Sequence, residues 1–131
     1  MIENQGYSDI GFRSETSFQE LRKYSKRENP NPLALEDAKK IVNTFYEIIA
    51  EKEKYNLGRG NNKYYFKLIM EDILGKERII SSIPVLTTTK TTLEKIANNE
   101  TNISPKEIET TIDFFKKISS RCKEHCSTGS F

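Results

Sequence analysis

The stretch "RCKEHC" at 121–126 gathers both cysteines and the only histidine of the chain. Cys122, His125 and Cys126 stand at i, i+3 and i+4, a spacing that puts all three on one side of a helix. Thiolate and imidazole are zinc ligands, but a closed structural site takes four, and no further Cys or His exists in the chain. A carboxylate or a second subunit would have to complete it. As a redox pair the spacing is Cys-x-x-x-Cys rather than Cys-x-x-Cys, late in a helix and far from the N-terminal dipole that lowers a thiol pKa.

The other reading of the same residues is a core stripe. At about 100° per residue from Ile108, Ile112, Phe115 and Cys122 all fall within about 40°, and Cys126 returns to the starting direction. His125 lies about 100° away, at the edge. A free cysteine packs as a small hydrophobe, so the core reading is preferred and neither a metal nor a cofactor is expected.

Basic residues are the second candidate chemistry. Arg22, Lys23, Lys26 and Arg27 cluster beside Phe18, Leu21 and Tyr24. In "NLGRGNNKYYFK", Arg59 sits between glycines and Lys63 precedes stacked aromatic residues. Both groups have residue types that contact phosphates and bases. The long glycine pattern ending in Lys-Ser/Thr that cradles nucleotide phosphates is missing. Lys116, Lys117, Arg121 and Lys123 form a further basic group, where cations also favour a helix C-terminus. The net charge of +2 adds no general attraction for polyanions. Solvated faces and a helix–helix connection are the preferred explanation of these groups.

Catalytic combinations are scarce. With one histidine, no Ser/His/Asp spacing and no Asp-x-Asp, the sequence points away from an enzyme. Glu71 and Asp72 are adjacent on a helix and so diverge.

The elements that position these residues are helical. Hydrophobic residues make up 35% and charged residues 31% of 131 residues, a balance suited to thin helices around a modest core. Residues 1–14 lack periodicity and read as a flexible or extended arm. Ser17 and Glu20 have capping-box spacing and predict a helix start. Asn31-Pro32 predicts the second helix, with Leu35, Ala38, Ile41, Val42, Phe45, Ile48 and Ile49 as its stripe, running to about Tyr55. "KYYFKLIMEDIL" predicts a third, the most buried, stopped by Gly75. The β-branched "RIISSIPVL" permits one short extended segment near 79–86. Thr91 and Glu94 predict a short helix. Ser104-Pro105-Lys106-Glu107 is the strongest start signal, with Ile103 and Ile108 spaced as a hydrophobic staple.

The expected fold is an all-α antiparallel bundle of four to five helices. It comprises the arm at 1–14, one helical domain over 15–127 and a disordered tail at 128–131. "MIENQGYSDIGF" has no signal-peptide pattern, and no apolar run spans a bilayer. Two cysteines then point to a reducing, cytoplasmic setting. The functional expectation is a small non-enzymatic interaction or structural protein that self-associates or joins other protein subunits. One alternative is a nucleic-acid-associated subunit of a nucleoprotein or virion-like assembly, using Arg22, Lys23, Lys26, Arg27, Arg59 and Lys63. The other is a metal- or thiol-based regulator.

Overall fold

The computed structural model describes the backbone over residues 2–50, 62–75 and 80–128, and side chains over 10–50, 66–75 and 81–124. Among the described residues, five α-helices form an all-α bundle: α1 (Ile2–Ser25), α2 (Pro32–Ala50), α3 (Asn62–Leu74), α4 (Ile83–Ala97) and α5 (Pro105–Thr128). A 3₁₀ turn, Ile80–Ser82, precedes α4. No strand occurs among the described residues, and no helix there is long and apolar enough to cross a membrane.

Helix α1 overturns the reading of 1–14 as an arm. It runs from Ile2, and Ile10, Gly11 and Ser14 are all buried. Weak local propensity is overridden here by packing against α5, the most extensive helix contact in the molecule. Gly11 permits it: a Cβ built there would lie 2.8 Å from the Cβ of Cys122 on α5. Ser17 and Glu20 therefore sit inside the helix and cap nothing at its start. The Ser17 hydroxyl donates to the Ala34 carbonyl at 3.2 Å, and the Glu20 carboxylate accepts from the Asn31 backbone NH at 2.8 Å. With Arg13–Asp37 at 3.9 Å, these contacts lay α2 antiparallel on α1.

Helix α2 starts as expected. Asn31 Oδ1 accepts from the Leu33 NH at 2.8 Å, and Pro32 opens the helix where its missing donor costs nothing. Ala38, Ile41, Val42, Phe45, Ile48 and Ile49 are buried. The expected continuation to Tyr55 lies outside the described residues. Phe45 joins three helices, meeting Phe66 of α3 and Phe114 of α5 edge-on at 5.7 and 6.0 Å. Among described side chains α3 buries Ile69 and Met70, while the side chains of residues 62–65 lie outside the described set. Gly75 ends α3 at φ +89°, its NH donating to the Glu71 carbonyl at 2.9 Å.

Of the segment near 79–86 allowed to be extended, residues 80–86 form the 3₁₀ turn and the first turn of α4, which accommodates Pro84, and residue 79 lies outside the described residues. Leu86, Thr89, Leu93 and Ile96 form its buried stripe. Thr89 and Thr92 satisfy their hydroxyls on the Val85 and Thr88 carbonyls at 2.9 and 2.8 Å. Thr91 and Glu94 consequently stand in mid-helix rather than at a start.

The α5 start has its capping box. The Glu107 NH donates to Ser104 Oγ, and the Ser104 NH donates to Glu107 Oε1, both at 3.2 Å. Ile108 is buried, and Ile103 packs against the same core. α5 continues through Thr128, so the expected tail at 128–131 begins no earlier than residue 129, outside the described residues.

Two carboxylates are held below the ordinary glutamate range. Glu107 is lowered first by the Ser104 NH and then by Lys95, whose Nζ is 3.1 Å away. Glu20 is lowered first by the Asn31 NH and then by Lys23. Both bind protons more weakly folded than unfolded. Their contribution is complete above the unfolded value, about 4.3, and is lost as pH falls through the lowered folded values. Thermal melts should therefore show stability dropping below about pH 4.3, with a smaller drop in Glu107→Gln. Gly11→Ala should cost about 1–3 kcal/mol in chemical denaturation despite alanine's better helix propensity, because the new Cβ meets Cys122 near its backbone.

Candidate functional site

The "RCKEHC" residues divide between the core and the undescribed side chains. Cys122 is 1% exposed and covered by α1 at Gly11. The backbone at His125 and Cys126 is helical, and their side chains lie outside the described set. No group of three metal-ligating residues occurs among the described residues.

Ion pairs account for most of the basic group on α5. Lys117 meets Asp113 at 3.2 Å, Arg121 meets Asp72 and Glu124 at 3.4 and 2.9 Å, and Lys123 meets Glu15 at 2.7 Å. On α1, Lys23 pairs with Glu20 at 3.0 Å, and Lys26 in the turn after it is exposed. Arg59 and the Lys63 side chain lie outside the described residues.

Arg22, Arg27 and Lys116 have a different setting. They line one open cleft of about 1400 Å³, bounded by the end of α1, the turn after it, the α4–α5 connection and the first turns of α5. Arg22 lies over the Phe18 ring, 5.7 Å from its centroid. Ile103, Ile108 and Ile112 supply the cleft's apolar surface, and Glu28, Glu109 and Asp113 bring carboxylates. Three basic and three acidic side chains therefore share the lining. Asp113 has Lys117; Arg22, Arg27, Glu28, Glu109 and Lys116 form no ion pair among the described residues.

Two matching helix ends build the cleft rim. At the end of α1, the Arg27 NH donates to the Tyr24 carbonyl and the Glu28 NH to the Lys23 carbonyl, both at 2.9 Å. At the end of α4, the Asn99 NH donates to Ile96 at 3.0 Å and the Glu100 NH to Lys95 at 2.9 Å. Each is a Schellman motif, with a left-handed residue where glycine is usual. Arg27 has φ +65° and Asn99 has φ +58°. The Tyr24 hydroxyl donates to the Glu100 carbonyl and ties the two turns together. Asparagine tolerates this backbone region; for arginine it is strained.

Sequence reasoning identified Arg22 and Arg27 but missed what they face. The carboxylates of α5 and the isoleucines of the cleft come from residues about eighty positions away, and only the Asn31 cap and the prolines hinted at a sharp turn after α1. Comparisons with known proteins found no matching family model, no matching curated protein and no matching solved structure.

In the isolated monomer, measured at high dilution, Arg27→Gly should relieve the left-handed strain and stabilise the fold by about 1 kcal/mol, read as a higher denaturation midpoint. Asn99→Gly should gain less.

Proposed function

We propose that this protein is a non-enzymatic interaction module that binds polypeptide through the cleft between the α1–α2 turn and α5. The observation that carries this reading is the lining itself: isoleucine surface bordered by exposed charges of both signs, most of them lacking an intramolecular partner among the described residues. A polypeptide segment offers apolar side chains, cations and anions together, so it complements each part of such a lining.

A nucleic acid is a poorer occupant. It would gain Arg22, Arg27 and Lys116 but would meet Glu28, Glu109 and Asp113 in the same space. Catalysis draws no support from the lining either. Its serine, Ser25, spends its hydroxyl proton on the Arg22 carbonyl at 2.6 Å, and no histidine lines the cleft. A thiol regulator using Cys122 is disfavoured by the burial of that residue under α1.

The test is photo-cross-linking in the cells that naturally produce the protein. A photoreactive amino acid replaces Thr110, inside the cleft, or Lys40, an exposed position of α2 outside it. Thr110 should give protein adducts that resist nuclease, and Lys40 should give few. Nuclease-sensitive adducts would replace this reading with the nucleic-acid one. Equal yields from both positions would remove the cleft as the binding surface.

A further inference from the structure

We infer that the occupant of the cleft is a second copy of this chain, with the α1–α2 turn of each copy seated in the cleft of the other and Arg27 against Glu109 of the second copy. This rests on the reading of the cleft as a polypeptide-binding surface and names its partner.

The first argument is the distribution of charge. The α1 end and the turn after it bring Arg22, Arg27 and Glu28, and α5 brings Glu109, Asp113 and Lys116, so each side holds both signs with an excess of one. A two-fold interface places residue i of one copy on residue j of the other, and j on i. The basic excess on the turn and the acidic excess on α5 are brought face to face by that operation, and Arg27 and Glu109, which form no ion pair among the described residues, become each other's partners. With three basic and three acidic residues in the lining, like copies do not repel one another. Single-signed surfaces cannot be self-complementary in this way.

Shape supplies the second argument. A cleft facing a cleft would leave a void, so each copy must also offer something that protrudes. Lys26, Arg27, Glu28 and Asn29 are exposed in succession, and the last three line the cleft, so this turn is the exposed edge that would enter the opposite one. The rim is ordered before it binds. Two backbone hydrogen bonds close the α1 end, the Tyr24 hydroxyl anchors it to Glu100, and Pro30 and Pro32 restrict the chain beyond it. Little ordering entropy is lost when such a turn docks.

The third observation is Arg27 itself. The fold holds an arginine at φ +65°, where glycine would be less strained. Within the chain its side chain forms no ion pair among the described residues. Contact with Glu109 of a second copy gives that strained arginine a partner.

Sedimentation of the purified chain tests this with charge reversals. The wild-type protein should form a dimer whose dissociation constant rises with salt. Arg27→Glu and Glu109→Arg should each weaken dimerisation by about tenfold or more, because each sets like charges together at both symmetric contacts. The combination Arg27→Glu/Glu109→Arg restores opposite charges and should recover dimerisation to near the wild-type level. Circular dichroism should show equal helicity in all four proteins.

A wild-type protein that stays monomeric at every concentration overturns the inference. So does a dimer insensitive to both reversals, a double variant that fails to recover, or a dimer abolished instead by Phe12→Asp at the exposed Phe12. The Thr110 cross-link separates this inference from the reading beneath it. An adduct of two copies of the chain supports both. An adduct with a different protein, from a chain that is monomeric alone, overturns self-association and leaves polypeptide binding standing.

Discussion

The close approach of α1 and α5 at Gly11 and Cys122, where a single added Cβ would come within 2.8 Å of its neighbour, sets the register of the molecule. Small residues let the two helices pack along their length, and that contact in turn makes α1 a helix at all. With α1 antiparallel to α5, its C-terminal end reaches the start of α5, where Tyr24 meets Glu100. The cleft follows from this placement, because two helix ends and their turns converge there while the rest of the bundle is filled by the Phe45-centred core.

Surface charge is arranged unevenly around that frame. Along the helix faces, pairs such as Lys39–Glu36, Lys67–Glu71 and Lys117–Asp113 follow helical spacing and contribute little each. Between helices, Arg121–Asp72 and Lys123–Glu15 cross the α5 seams. At the cleft, charges from α1 and α5 are held apart by the opening between them. The same turn that opens the cleft carries an arginine in a backbone conformation that costs about 1–2 kcal/mol, an arrangement that stability alone does not favour.

Local signals were legible where a residue's own chemistry decides its conformation. Asn31-Pro32, Ser104–Glu107 and Gly75 act through hydrogen bonds to backbone groups a few residues away, and all three mark helix ends in the structure. The α2 stripe was equally legible, because its period is a property of the helix. Ser17–Glu20 and Thr91–Glu94 show the limit of such signals. The same spacing recurs inside a helix, where Ser17 and Glu20 serve contacts with the start of α2. Residues 1–14 and 79–86 misled for the complementary reason, since neither has a strong local preference and packing chose helix for most of both.

Sequence alone determined the helical class, the well-capped helix ends and the apolar faces, because these depend on interactions within one or two turns. It also supplied the charged residues. Tertiary structure decided which of them share a surface: Arg22 and Arg27 line one cleft with Glu109 and Lys116 only because α1 and α5 lie antiparallel in one register. That register is a long-range property, set by how closely two backbones can approach at Gly11 and Cys122, and no local pattern encodes it.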